Sequence, residues 1–263
     1  MNELQVVKGY ELVSAWLGGQ QSRHTRRAYE HIAKSFVEEG VPFDEVTIIT
    51  LQAWVEKVGG SDSKRQLYSA CIKSLFSFLY KSGALRFNPA ELLKVCKVED
   101  HRSERILTVD EVGRIIGAVT TTKHKLLVYL LYYGGLRVSE ACELEWRNVR
   151  GDVITVFGKG GKTRYVGLPS GVSDTIAHER GEDSEKVVPM SAVGAWKAIK
   201  TLARKAGLSS AVSPHFLRHS HGSHSLEAGA TLACIRDTLG HESIATTSKY
   251  LHVKAGESSG RYL

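Results

Sequence analysis

Four stretches of this 263-residue chain hold residue types that can grip a phosphate or move a proton. In YYGGLRVSEACELEW, two glycines precede Arg137, so its backbone enters a helix at a tight turn. Glu140 lies three residues on, on the same helical face, where it can hold the guanidinium. Alone, the pair reads equally as a helix start with a surface ion pair. In VFGKGGKTRYVGLP, Lys159 stands beside glycines and can swing with its loop to reach a phosphate; alone, it is a solvated hairpin tip. The segment is not a P-loop, because G-x-x-x-x-G-K-S/T is absent and it lies between two strands rather than before a helix. In SPHFLRHSHGSH, His215 and Arg218 are three apart and share a helical face, with Pro214 suited to the first turn. His215, His219, His221 and His224 include i,i+4 pairings with zinc-ligand spacing, but neither H-E-x-x-H nor a clustered acidic ligand accompanies them. No metal and no other cofactor is expected. In LGHESIATTSKYLHV, Gly240-His241 opens a loop, a helix follows, and Tyr250 comes nine residues after His241. A lone tyrosine near a chain end is ordinarily a packing or surface residue.

The elements that must position these groups are mostly helical. Ser22 or Thr25 caps a helix through RRAYEHIAKSFVEEG, whose apolar Ala28, Tyr29, Ile32, Ala33, Phe36 and Val37 recur at helical spacing, with Gly40 as its stop. A second helix fits TIITLQAWVEKVGG, capped by Thr47 or Thr50 and closed by Gly59. A third fits SKRQLYSACIKSLFSFLYKSG, with Leu67, Ala70, Cys71, Ser74, Leu75, Phe78 and Leu79 on one stripe, and Asn88-Pro89 begins a short helix, PAELLKV. Residues 98–107 are mostly charged and read as a linker between domains at 1–97 and 108–263. Thr108 caps the next helix, with Asp110 and Glu111 in the first turn, where the helix dipole favours them. The apolar helix HKLLVYLLYYGG follows. DVITVFGKGGKTRYVGLP is the one clear β signal, two strands joined over adjacent glycines. Helices then resume through AVGAWKAIKTLARKAG, FLRHSHGSHSLEAGA, TLACIRDTLG and SIATTSKYLHV. The fold class is mainly α (α+β): a helical N-terminal domain and a mostly helical C-terminal domain with a small antiparallel sheet.

Composition narrows the partners. Formal net charge is +7. Residues 1–100 hold 13 Lys+Arg against 12 Asp+Glu, and residues 101–263 hold 22 against 16, so the excess sits in the second part. That asymmetry suits a polyanion, with nucleic acid the first candidate. Cys71, Cys96, Cys142 and Cys234 are scattered among apolar or small residues and read as buried free thiols. No apolar run approaches membrane-span length, and the amino terminus does not read as a signal peptide. A cytoplasmic protein without a membrane partner is expected.

Each motif is weak, but their ordered conjunction is specific. Arg, Lys, His-x-x-Arg, Gly-His and a tyrosine nine residues later form the pattern of the tyrosine recombinase (phage integrase) family, which this sequence resembles, in an Xer-like form. GGLRVSEACEL, VFGKGGKTRYVGLP, HFLRHSHGSHSLEAGA and LGHESIATTSKYLHV each resemble a family box, in the family's order, over residues 133–253. TRRAYEHIAKSF resembles the family's core-binding domain. The resemblance implies a site-specific recombinase that cleaves and rejoins DNA through a covalent 3′-phosphotyrosine, exchanging strands between two sites in integration, excision or resolution. It implies that Arg137 and Arg218 clamp the scissile phosphate, that His215 and His241 donate hydrogen bonds or shuttle a proton, that Lys159 protonates the leaving 5′-oxygen and that Tyr250 attacks. It also implies double-stranded DNA bearing a specific site as partner, and a homotetramer, or a heterotetramer with a related recombinase, on that DNA. Residues 1–97 become the DNA-clamping domain and 108–263 the catalytic one.

The chemistry suits those roles. Two fixed guanidiniums offer bidentate donors to a phosphodiester whose oxygens gain charge during attack. Only about one tyrosine in ~10³ is phenolate at neutral pH, so nearby positive charge and a proton acceptor must activate it. For binding DNA, Arg23, His24, Thr25, Arg26 and Arg27 sit at one helix start, Lys64 and Arg65 at another, and Lys162 and Arg164 on the hairpin. Two features depart from the family pattern. His221 stands where relatives carry an apolar or aromatic residue, which predicts a less well buried helix face. Only 13 residues follow Tyr250, a short segment for coupling protomers. A non-cleaving DNA-binding relative, a type IB topoisomerase-like nicking enzyme and a metal-dependent nuclease are the alternative readings.

Overall fold

The structure, a computed structural model, describes residues 3–20, 23–95, 106–158 and 161–241. The chain divides into two compact units, Met1–Glu99 and Asp100–Leu263. The linker expected over 98–107 falls mostly outside the described residues, as do Cys96, Lys159, Tyr250 and the segment after it.

The first unit packs four helices. α1 (Glu3–Gly18) is a helix beyond those expected from the sequence; Val13, Trp16 and Leu17 bury one face, and the Trp16 ring stacks on Tyr29 at 5.5 Å. α2 (Arg23–Val37) buries Ile32, Ala33, Phe36 and Val37 as its periodicity requires, and Gly40, at φ 76°, turns the chain away. In α3 (Ile48–Gly59) Thr47 is the cap, its hydroxyl accepting from the Thr50 amide at 3.2 Å, and the left-handed stop is Gly60 rather than Gly59. α4 (Asp62–Lys81) buries Tyr68, Cys71, Ile72, Leu75, Phe76 and Leu79, whereas Leu67 is 42% exposed. The buried stripe is therefore rotated from the expected one. The cause is Phe76, whose ring meets Phe36 and Phe43 edge-on at 5.8 and 5.6 Å and seats that face in the core. The short helix expected from Asn88-Pro89 does not form. Turns replace it, because the Asn88 side chain accepts from the Ala90 amide and Lys73 Nζ takes the Glu91 and Leu93 carbonyls that a helix would use.

The second unit opens on α5 (Val109–Gly117), where Thr108 and Glu111 form the reciprocal capping box. α6 (Thr122–Tyr132) buries Leu126, Leu127, Val128, Leu130 and Leu131, a nearly all-round apolar surface that makes it the central helix. α7 (Val138–Glu143) and a 3₁₀ turn (Trp146–Asn148) lead into β1 (Val149–Arg150), β2 (Val153–Phe157) and β3 (Thr163–Gly167). These form an antiparallel sheet in the order β1-β2-β3, with Ile154 opposite Val166 and Val156 opposite Arg164. The expected hairpin is present, with β1 as an added edge. α8 (Ser170–His178), likewise beyond the expected helices, precedes α9 (Ala192–Lys205), α10 (Pro214–Glu227) and α11 (Leu232–Leu239). Ser220 of α10 accepts from the Leu107 amide at 2.7 Å and donates to the Phe216 carbonyl at 2.8 Å, anchoring the entry to the unit. Cys71 and Cys142 are buried as expected, and burial pushes the Cys71 thiol up to about 12. Cys234 is exposed instead, because α11 turns Ile235 and Leu239 inward and leaves Cys234 on the opposite side. No helix among the described residues is long and apolar enough to cross a membrane.

The rotated face of α4 makes a direct prediction. Phe76→Ala should lower unfolding free energy by about 3–5 kcal/mol, and Leu67→Ala by no more than about 0.5 kcal/mol, in equilibrium denaturation. A costly Leu67→Ala would restore the stripe inferred from the sequence.

Candidate active site

The site is built where α6 stops, α7 starts and α11 ends. Gly135, at φ 58°, reverses the chain after α6, and the Leu136 amide closes back on the Leu130 carbonyl at 3.1 Å. Arg137 follows as the N-cap of α7, its backbone still extended, so its amide lies within reach of the Glu140 side chain in a capping box. Glu140 answers as the 3-residue spacing requires. Its Oε2 accepts from the Arg137 amide at 2.7 Å and its Oε1 from Arg137 Nη1 at 2.9 Å. This is no surface ion pair, since the Glu140 side chain is only 8% exposed.

Glu140 is shared. Arg164 of β3 grips it with both arms, Nη1 to Oε1 at 3.0 Å and Nη2 to Oε2 at 2.7 Å, while Arg218 Nη1 of α10 stands 3.8 Å from Oε2. Burial alone pushes the Glu140 carboxyl up. The hydrogen bonds from Arg164 and Arg137, with the Arg164 charge, outweigh burial and hold the carboxyl at about 2. Three cations thus surround one anion, and the surplus positive charge faces an open cavity of about 900 Å³. That cavity is lined by Arg137, Lys162, Arg164, Tyr165, Gly240 and His241, among others.

The same guanidiniums finish α11. A helix leaves its last four carbonyls without helical partners. Here Gly240, left-handed at φ 61°, closes a Schellman turn in which the His241 amide donates to the Arg236 carbonyl at 3.1 Å and the Gly240 amide to the Asp237 carbonyl at 3.2 Å. The next three carbonyls each receive an arginine. Arg164 Nε donates to Thr238 O at 2.7 Å, Arg218 Nη2 to Leu239 O, and Arg137 Nη2 to Gly240 O at 3.3 Å. Arg218 also donates to the Gly135 carbonyl, so it joins the turn before Arg137 to the turn before His241. Cations at a helix C-terminus are further favoured by the helix dipole.

Of the residues expected to act, the structure brings Arg137, Arg218 and His241 together around the end of α11. Arg218 is buried behind the cavity, His241 is half-buried on its wall, and His215 is exposed one turn before Arg218 on α10. Lys159 and Tyr250 lie outside the described residues. Lys162 is exposed at the cavity rim, as a DNA contact requires. Arg164 corrects the sequence reading. Its side chain is 11% exposed and committed to Glu140 and Thr238, so it is not a free arm for DNA. Strand alternation held the signal, because Arg164 shares its face of β3 with buried Val166 while Thr163, Tyr165 and Gly167 face out. In the first unit, Arg26, Arg27 and Lys64 are exposed and Thr25 is half-buried, whereas Arg65 pairs with Asp62 at 2.9 Å. Nothing of the Arg23 and His24 side chains lies within the described residues.

His221 also corrects an expectation. It does not open the helix face. A Cβ on Gly135 would come within 2.7 Å of its ring, and burial first, then the Arg218 and His224 charges, push its imidazole down to about 4, against a hydrogen bond that the ring donates to the Tyr132 backbone carbonyl. His224 in turn hydrogen-bonds Tyr132 Oη at 2.8 Å. Among the described residues, no group of three His, Cys, Asp or Glu side chains is placed to hold a metal.

The Glu140 cluster predicts a pH signature. A carboxyl held near 2 in the fold and near 4.3 in the unfolded chain adds stability that is complete above about pH 4.3 and is lost as pH falls toward 2. Glu140→Gln should cost about 3–5 kcal/mol at neutral pH, because it strips a buried ion cluster of its anion. The difference between wild type and variant in urea midpoints should shrink as pH falls through that window. A constant difference would remove Glu140 from the linkage.

The Phage integrase family model matches residues 105–257, more than half of the chain. Tyrosine recombinase XerA of Thermococcus kodakarensis is 32% identical over 89% of this chain and 86% of its own length. Tyrosine recombinase XerC of Xanthomonas campestris is 36% identical over 73% of this chain, an alignment spanning 64% of that protein. A lambda integrase dimer bound to a COC′ core site superposes with a TM-score of 0.76 over 90% of this chain and 96% of that one; at 18% identity it speaks for the fold. The ordered Arg, His-x-x-Arg and Gly-His elements around one buried glutamate thus meet an independent match over the same residues: the chain belongs to the phage integrase family and is a tyrosine recombinase of the Xer type.

Proposed function

We propose that this chain breaks and rejoins DNA strands at specific sites, with Tyr250 as nucleophile. The observation that carries the reading is the convergence of Arg137, Arg218 and His241 on the end of α11, with net positive charge facing an open cavity. A phosphodiester bound there meets guanidiniums already oriented by Glu140 and by peptide carbonyls, so little reorganisation remains for the transition state.

Tyr250 Oη attacks the phosphorus, and the new O–P bond replaces the bond from phosphorus to the 5′-oxygen. The phenol proton passes to a neutral histidine, His215 or His241, and Lys159 protonates the departing 5′-oxygen. The product is a 3′-phosphotyrosine, which keeps the energy of the phosphodiester. A 5′-hydroxyl from another strand then attacks that phosphorus and releases Tyr250, so one nucleophile serves both cleavage and joining. No metal or nucleotide is needed for either step. Residues 108–263 supply this chemistry, and residues 1–97 clamp the duplex through the exposed Arg26, Arg27 and Lys64 together with Arg23, His24 and Thr25. Lys162 adds a backbone contact at the cavity rim. The working assembly is a tetramer on DNA, of this chain alone or with a related recombinase, exchanging strands between two sites within the cytoplasm.

Nicked suicide duplexes tiled across the DNA flanking the gene test this. The purified protein should form a covalent protein–DNA band on one of them in the presence of EDTA. Tyr250→Phe should abolish the band and keep the gel shift. Loss of the wild-type band on chelation would point to a metal-dependent nuclease. A band that survives in Tyr250→Phe would move the nucleophile elsewhere, first to Tyr165 on the cavity wall.

A further inference from the structure

Arg164 holds a place in the site that phosphate binding does not explain. It stands at an inward position of β3, where a charge survives only if its donors are matched. Three are matched, two on Glu140 and one on the Thr238 carbonyl, and all three bonds are 3.0 Å or shorter. Those partners lie on α7 and α11, so one side chain ties together β3, the helix capped by Arg137 and the helix end that precedes His241. In sequence, Lys159 lies between β2 and β3.

The charge pattern gives this tie a chemical purpose. A bare carboxylate at Glu140 would repel a phosphodiester in the adjoining cavity, and would draw the Arg137 guanidinium onto itself. Arg164 occupies both Glu140 oxygens in the fork geometry that suits a carboxylate best. Arg137 is left with one side-chain bond to Glu140, enough to orient it without consuming its charge.

We infer that Arg164 is a positioning residue for strand cleavage: it neutralises and fixes Glu140, and through Glu140 aims Arg137, while tying β3 to the end of α11. The inference rests on the recombinase reading above. Arg164 itself does not touch the phosphate.

The test is single-turnover adduct formation on the suicide duplex that wild type cleaves. Arg164→Ala should slow adduct formation ~10–100-fold, the usual range for groups that orient a reacting side chain from behind. Its DNA affinity should stay within about threefold of wild type, because no phosphate contact is lost. Guanidinium chloride at low millimolar concentration should restore much of the rate in Arg164→Ala and not in wild type, and urea should restore none. Arg164→Lys should recover little, since an ammonium cannot span both oxygens. In a double-mutant cycle, Glu140→Gln should add little to the rate defect of Arg164→Ala. Arg164→Gln, closer in volume, replaces the alanine variant if circular dichroism shows the latter unfolded. Wild-type rates in a folded Arg164 variant would overturn the inference. So would equal losses of rate and affinity, which mark a direct phosphate contact, or a folded variant indifferent to guanidinium, which marks a merely structural role. A wild-type protein that forms no adduct on any duplex would instead overturn the recombinase reading.

Discussion

One buried carboxylate organises this site. Glu140 lies within 4 Å of three guanidiniums drawn from α7, β3 and α10, and no two of those cations are neighbours in sequence. Like charges assembled so closely would repel one another without a shared anion. Glu140 supplies it, and the carbonyls of α11 supply the remaining acceptors. The surplus charge is therefore held in place before any phosphate arrives, which is what separates a preorganised anion site from a basic surface patch.

Much of this was legible in the sequence where spacing alone fixes geometry. Arg137 and Glu140 meet because three residues span one turn. Pro214 begins α10, Gly240 ends α11, and the glycines before Lys162 join two strands. Other elements obey other rules. α1 spreads its apolar residues around the helix, and α8 is short and rich in small polar residues, so neither shows a sharp periodicity. The turn at Asn88-Pro89 was decided by Lys73, fifteen residues upstream, capturing carbonyls that a helix would have needed. Arg164 differs from its expected role because a charge near a glycine-rich segment suits a solvated position, whereas strand alternation turns its side chain inward.

His221 shows the same competition between composition and packing. A histidine on a helix otherwise facing the core suggests a weakened face. Gly135 removes the obstacle by having no side chain, and the ring fills the space so released. The Gly-Gly step before Arg137 therefore serves two purposes, a left-handed turn at Gly135 and room for a neighbouring ring.

α11 has eight residues, too few to persist as an isolated helix in water. Its end exists as a helix because arginines of the site satisfy its carbonyls. Local order and readiness for chemistry are then a single cooperative event. Proteins commonly trade stability against activity by straining a site that the scaffold must carry. Here the residues that prepare the site also complete the scaffold, so selection for either one preserves the other.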